Sequence, residues 1–399
     1  MNDRLLEKYK EELLEELHSI LQWWTTHMMD SSNGFKGEID AQGQTVSTAS
    51  KGLVMYSRIL WTFSAAYRFL HKEEYLAMAK RAYKGLLQEF ADTTYGGFYW
   101  SIDYLGAPLD KRKQLYGQAF ALYGLAEYAA ATGDNEALTH AIQIFQWIEE
   151  KGKDPVNGGY WEARAQDGSF LEDSRLSEKD PNVAKSMNTH LHVVEAYTRL
   201  VQLWPNQTLL NCINELLSIF KNYIIDPVSS RQQLYFLDDW TAVGSFESYG
   251  HDIEASWLLY EAASLHGLEK RKEEFGKIAL QMAEAASVAI DKDGGLFYEK
   301  ELTRDHLSRE KHWWPQAEAM VGFFNAWEIG GGDKNLQRSL QVWNFVKHKI
   351  LDKNKGEWFW GIDENGQPMP CPKAGFWKCP YHNGRACLEI IKRVQENNQ

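Results

Sequence analysis

Along the chain, an amphipathic stretch, a glycine-rich turn and a far more apolar stretch follow one another six times. The amphipathic stretches cover residues 3–24, 72–90, 135–150, 207–222, 270–289 and 334–349, with apolar positions three and four apart and Lys and Glu between them. That spacing predicts helices with one buried face. The second set is ILWTFSAAYRFL, QAFALYGLAEYAAA, HLHVVEAYTRLV, IEASWLLYEAAS, EAMVGFFNAWEI and GRACLEIIKRV. These segments are apolar nearly all round, as expected of helices buried on every side.

The turns between them share a pattern: an Asp, then Gly, then aromatics. They are DSSNGFKGEID from Asp30, DTTYGGFYWSID from Asp92, DPVNGGYWEAR from Asp154, a degenerate DPVSSRQQLYFLDD from Asp226, DKDGGLFYEKE from Asp291 and DKNKGEWFWGIDENG from Asp352. Successive Asp residues lie 62, 62, 72, 65 and 61 positions apart. Gly-rich turns running into alternating aromatics predict short β-hairpins. Thr132-Gly133-Asp134, Trp204-Pro205-Asn206 and Gly330-Gly331-Gly332 separate units.

A repeat of this kind buries its apolar face against its neighbours. The predicted fold is therefore all-α, a single domain over 1–399 in which six inner helices are ringed by six outer ones. This is an (α/α)6 barrel with short hairpins at one end. An open solenoid competes, but neither terminal unit carries an obvious polar capping face, which favours closure.

Composition narrows the function. Lys+Arg 43 against Asp+Glu 55 gives −12 with no basic run, which argues against a nucleic-acid partner. No apolar stretch reaches the roughly 20 residues of a membrane span. The charged amphipathic N-terminus lacks the apolar core of a signal peptide. Cys212, Cys371, Cys379 and Cys387 form no C-x-x-C pair, so a reducing, cytoplasmic setting is expected. Of the 16 Trp, 19 Tyr and 18 Phe part serves the core, and such flat faces also suit sugars, whose C–H faces stack on rings.

In an alternating barrel the inner helices are parallel, so their N-termini converge on one mouth. Residues at those starts are Arg58; Tyr116 and Gln118; Asn188, His190 and His192; His251, Asp252 and Glu254; Trp313, Trp314, Gln316 and Glu318; and Tyr381, His382, Asn383 and Arg385. Individually, each has a bland reading as a satisfied core residue or a helix-terminal charge. Collected at equivalent ends of five units, they describe a pocket. His190-x-His192 and His251-x-x-Glu254 resemble metal-ligand pairs. Residues i and i+2 of a helix face different ways, however, so only one of His190 and His192 is expected in the pocket, and no metal is expected. No nucleotide-binding loop or serine-hydrolase elbow is present, so no cofactor is expected.

An aromatic pocket with several imidazoles and few carboxylates suits proton transfer near neutral pH. Two histidines on opposite faces of a carbon α to a carbonyl would invert it through an enediolate, which Arg58 and His192 are suited to support.

MNTHLHVVEAY (187–197), GHDIEASWLL (250–259), HWWPQAEAMVGF (312–323), FWKCPYHNGRACLE (376–389), RILWTFSAAYR (58–68) and LSEKD ending at Asp180 resemble the cellobiose 2-epimerases of the N-acylglucosamine 2-epimerase superfamily over nearly the whole chain. The resemblance implies the same barrel. It also implies cofactor-free inversion of C2 in the reducing-end glucose of β-1,4-linked disaccharides: cellobiose to glucosyl-mannose, lactose to epilactose. The partner implied is a disaccharide with a free reducing end, and the protein is expected to be a monomer. By the same resemblance His251 and His382 are the acid/base pair and also assist ring opening. His192 and Arg58 hold the C1 and C2 oxygens, while Tyr116, Asn188 and Glu254 position the sugar. Trp314 and Trp377 stack on its rings, and Asp180 adds a polar contact. Alternatives on the same fold are an aldose–ketose isomerase or a monosaccharide 2-epimerase. A glycoside hydrolase would need two carboxylates flanking the bond, for which only Glu254 with Glu318 would serve. A non-catalytic sugar-binding protein would not need the ring of imidazoles.

Overall fold

The computed structural model describes residues 2–31 and 34–397; Ser32 and Asn33, inside the first predicted turn, lie outside the described residues. Twelve α-helices alternate outer and inner among the described residues. The outer ones are α1 (Asn2–His27), α3 (Glu73–Gly85), α5 (Asn135–Trp147), α7 (Gln207–Ile219), α9 (Glu269–Ser287) and α11 (Asp333–Phe345). The inner ones are α2 (Leu53–Leu70), α4 (Leu115–Thr132), α6 (Met187–Leu203), α8 (Tyr249–Ala263), α10 (Trp313–Ala326) and α12 (Tyr381–Asn397).

The hydrophobic pattern explains the layering. In α1 the buried residues are Leu6, Tyr9, Leu13, Leu17, Ile20, Leu21, Trp23 and Trp24, one broad stripe at helical spacing. In α4 every residue from Leu115 to Ala129 is buried, so that helix has no solvent face. Inner helices also approach closely: a Cβ added to Gly124 of α4 would lie 2.7 Å from the Ser57 carbonyl oxygen of α2. Four outer helices (α3, α5, α7 and α11) end in a π-helical turn, at Leu86–Phe90, Ile148–Gly152, Phe220–Ile224 and Val346–Ile350.

The ring closes. Each inner helix packs on the next, and α12 returns to α2 and α1. At the mouth, the segment before each inner helix pairs antiparallel with the segment after the next unit's turn: Lys51–Gly52 with Ser101–Ile102, Lys113–Gln114 with Ala163–Arg164, and so round to Lys311–His312 with Gly361–Ile362. The sixth unit meets the first through Ile39 and Ala374. The predicted hairpins are thus slighter than expected. Each of the six Asp turns is closed by a single β-bridge, such as Ala91 to Phe98 or Lys153 to Tyr160, and the degenerate fourth turn has one too, Ile225 to Gln232. The two- and three-residue ladders run mainly between units rather than within them.

The repeated Asp has a double task. Asp92 Oδ1 accepts the Thr94 and Tyr95 amides at 3.0 and 3.1 Å, and its Oδ2 meets Lys113 Nζ at 2.9 Å with both side chains wholly buried. Equivalent pairs are Asp30–Lys51 (3.0 Å), Asp154–Lys185, Asp291–Lys311 and Asp352–Lys373 (each 2.7 Å). Unit four reverses the charges: Glu247 stands where the lysine should be, and Arg231 of the turn pairs with it at 3.5 Å and with Asp252 at 3.1 Å.

Candidate active site

Position within the first turns of the inner helices decides which way each candidate faces. Tyr56, Gln118, His190, Asp252 and Gln316 each stand three residues after the first residue of their helix. Each reaches back to hold its own unit's turn. Gln118 accepts the Phe98 amide and donates to the Phe98 carbonyl, both at 2.8 Å; Gln316 does the same for Leu296 at 2.7 and 2.8 Å. Asp252 accepts the Gln232 amide at 2.8 Å. His190 accepts the Tyr160 amide on Nε2 at 2.9 Å and its Nδ1 lies 2.7 Å from the Ser186 carbonyl. Gln118, His190, Asp252 and Gln316, placed at the mouth from sequence, are therefore turn clamps. Asn383, bonded to Glu357 at 2.8 Å, and His312, stacked on Tyr298 with centroids 3.9 Å apart, also turn away from the axis.

Two residues further along, Arg58, Phe120, His192, Glu254 and Glu318 face inward, and Arg385 joins them from α12. They touch one another across helix boundaries. The Arg58 guanidinium lies 4.2 Å from the Phe120 ring centre, and Phe120 lies 4.6 Å from the His192 ring. Arg385 Nη2 donates to Glu254 at 2.9 Å and to Glu318 at 2.7 Å. Arg385 Nη1 and the Tyr381 hydroxyl both donate to Glu195, and Trp257 Nε1 donates to Glu318 at 3.2 Å. The expectation of few carboxylates is corrected: three are buried beneath the mouth. Glu195, one turn after His192, was missed in the sequence, although an H-x-x-E spacing on one helix face signals such a pair.

Three histidines of this cluster share one arrangement. His192 Nδ1 lies 2.8 Å from Glu195 Oε2, His382 Nδ1 2.6 Å from Glu318 Oε1, and His251 Nδ1 2.7 Å from Ser248 Oγ. Among the described residues no protein group bonds to the Nε2 of any of them. His251 and His382 stand about one indole, their ring centres 4.6 and 5.8 Å from that of Trp314. Burial, with a smaller push from neighbouring His192 and His382, drives the His251 imidazole down to about 3. Burial drives His382 to about 3 against the pull of Glu318, and burial likewise lowers His192 despite Glu195. All three are neutral at pH 7. Burial works to raise Glu318, yet Arg385 and the His382 N–H hold it at about 2. Glu254 is pushed well above the carboxylate range by burial and by the charge on Glu318.

Glu254, Glu318 and His382 offer three ligand atoms within 4.8 Å of one another, the spacing of a metal site. The Arg385 guanidinium and the His382 N–H already engage those carboxylates, so the cluster is internally neutralised. Glu254 and Glu318 share one guanidinium nitrogen and have no room for a glycosidic bond between them.

Around this base, Arg58 Nη2 donates to the Tyr116 hydroxyl at 2.7 Å, and Nη1 reaches the Trp377 carbonyl at 3.4 Å. Asn188, in the first turn of α6, keeps an unpartnered Oδ1. Trp377 is half-buried, 5.8 Å from Trp100 and 6.2 Å from Tyr116 between ring centres. Asp180 sits further out, its Oδ1 accepting the Tyr235 hydroxyl at 2.6 Å and its Oδ2 the Ser177 amide at 3.0 Å.

A closed helical ring with imidazoles gathered at its inner N-termini has the make-up of an enzyme site suited to proton transfer near neutral pH. The chain belongs to the N-acylglucosamine 2-epimerase family, whose model matches residues 34–386, and it is an epimerase. It is 45% identical to a cellobiose 2-epimerase of Bacteroides fragilis, over 96% of this chain and 98% of that one. It is 40% identical to another from Dictyoglomus turgidum, over 98% of this chain and all of that one. The solved cellobiose 2-epimerase of Bacillus thermoamylovorans superposes with a TM-score of 0.93 at 38% identity, covering 97% of this chain and 100% of that one.

Proposed function

We propose that the protein inverts C2 of the reducing-end glucose in β-1,4-linked disaccharides, turning cellobiose into glucosyl-mannose and lactose into epilactose. The observation that carries this reading is the pair of imidazoles about Trp314, each tied at Nδ1 and open at Nε2. His382, backed by an ionised carboxylate, is the stronger base and takes the C2 proton of the open-chain aldose. The electron pair moves into the C1–C2 bond, and the negative charge reaches O1. Arg58 and Tyr116 hold the enediolate oxygens, helped by the partial positive charge of the converging helix N-termini. His251, half-buried where His382 is buried, delivers its Nε2 proton to the opposite face while its Nδ1 takes the Ser248 hydroxyl proton. Water re-protonates Ser248, and the proton on His382 neutralises the hydroxide left behind, so both imidazoles end neutral. The reverse reaction exchanges the two roles.

Asn188, with its unpartnered oxygen, takes a sugar hydroxyl. Trp314 and Trp377 stack on the two rings, and Asp180 meets the second sugar at the rim. Glu254 acts beneath, through Arg385, rather than by touching the sugar. The proton inventory closes on side chains and solvent, so no cofactor is called for.

The test is incubation with cellobiose in deuterated water, followed by NMR. Deuterium at C2 of glucosyl-mannose is expected. A fructosyl product would point to aldose–ketose isomerisation through the same enediolate, and free glucose would overturn the reading.

A further inference from the structure

The pyranose ring must open before C2 becomes acidic, and the family resemblance loads that step onto His251 and His382, the pair already engaged at C2. The polar network beneath the mouth singles out a base for it. Glu195 Oε1 receives two donors, Arg385 Nη1 and the Tyr381 hydroxyl, while its Oε2 faces His192 Nδ1 at 2.8 Å. A carboxylate surrounded by donors is an acceptor only. The single proton of the neutral His192 imidazole therefore lies on Nδ1, and Nε2 presents a lone pair. In that form His192 cannot donate to an oxyanion, but it can accept a proton from a hydroxyl.

Glu318 performs the same service for His382, at 2.6 Å. One guanidinium, Arg385, bonds both carboxylates. The site thus contains two carboxylate-backed imidazole bases, whereas His251 leans on a serine hydroxyl, which either donates or accepts and so leaves its tautomer free. His192 also stands beside the oxygen-binding pair, with its ring 5.0 Å from that of Tyr116 and perpendicular to it.

Building on the epimerase reading, we propose that His192 is the ring-opening base and Glu195 the positioning residue that fixes its tautomer, so that ring opening and C2 chemistry are served by different imidazoles. The O1–H bond of the anomeric hydroxyl breaks and its proton passes to His192 Nε2. The pair left on O1 forms the C1=O bond as C1–O5 breaks. The ring oxygen keeps that bonding pair and is protonated by water, and the resulting hydroxide is neutralised by the proton that His192 releases. The protein ends in its starting protonation state. Burial, opposed by Glu195, lowers the His192 pKa and keeps the base in its neutral form at physiological pH.

Two readouts on cellobiose separate the steps: exchange between its α and β anomers, followed by NMR saturation transfer, and deuterium uptake at C2. His192→Gln and Glu195→Gln are each expected to lower catalysed anomer exchange about a hundredfold, the low end for losing a positioned base. For Glu195→Gln the loss should fall in kcat, with KM unchanged within about threefold, because a positioning defect alters the base and not the binding surface. His382→Asn should abolish C2 deuteration while anomer exchange persists. Circular dichroism identifies any variant that fails to fold, and His192→Gln, whose parent bonds only Glu195, then stands in for Glu195→Gln. Anomer exchange that survives in His192→Gln but is lost in His382→Asn would overturn the assignment. So would a wild-type protein that epimerises without catalysing anomer exchange. Absence of C2 deuteration in the wild type would instead sink the epimerase reading.

Discussion

His190→Gln exchanges the imidazole clamp of unit three for the amide used by units two and five. The site has room for a planar polar group, because Gln118 and Gln316 already hold equivalent turns. At neutral pH the expected cost is therefore that of one imperfect hydrogen bond, about 1 kcal/mol. Acid reverses the balance. Burial depresses His190 from 6.5 to about 4, so the folded protein refuses a proton that the unfolded chain accepts. Stability is lost as pH falls from 6.5 toward 4, and the contribution is flat below that. By linkage the wild type forfeits about 2.5 kcal/mol between pH 7.5 and 4.5 through this residue alone. Glutamine does not titrate and removes that loss. The variant should equal or trail the wild type at pH 7.5 and exceed it by about 1.5 kcal/mol at pH 4.5, once the lost hydrogen bond is subtracted. Urea unfolding followed by tryptophan fluorescence at both pH values measures the difference, and turnover at pH 7.5 should be unchanged because His190 faces the turn. A stability difference independent of pH, or a collapse of activity, would refute the clamp assignment and its neutral state.

Two further outcomes follow from the geometry. His251→Ala and His382→Ala should each retain the fold by circular dichroism yet lose at least about a hundredfold in epimerisation rate; either one keeping more than a tenth of wild-type turnover would end the two-imidazole mechanism. Lys113→Met strands the Asp92 carboxylate with only uncharged donors, the Thr94 and Tyr95 amides and the Gln166 side chain at 3.0 Å, and should cost about 3 kcal/mol in chemical denaturation, the low end for breaking a buried pair; a loss below about 1 kcal/mol would show that those donors suffice.

The fold was legible because its signal is repeated. Apolar spacing in 3–24 and the nearly all-apolar run of 118–131, broken only by Gln118 and Glu127, separate outer from inner helices, and six Asp turns set the count. The inter-unit ladders were not legible, because two-residue strands such as Lys51–Gly52 pair with a partner some fifty residues away and carry no periodicity of their own. Within the site, His251, His382, Arg58 and Trp314 were readable from their place at helix starts. His190 and His192 were correctly set on different faces, since 3.6-residue geometry forbids a shared one. Gln118, Asp252 and Gln316 were placed with the pocket because a helix start alone does not say which of two inward directions a side chain takes; three residues in, it meets the turn, and five residues in, the axis. Glu195 escaped notice because a glutamate in an apolar helix reads as a solvated position until its partners from α12 are seen.

That partnership ties architecture to chemistry. His382 and Arg385 both stand on α12, while the groups they complete are supplied by α6, α8 and α10. The same helix packs against α2 and α10 and so closes the ring. Take it away and an open crescent is left, with a greasy seam and stranded glutamates; one element thus carries both the closure of the barrel and the charge balance of its interior.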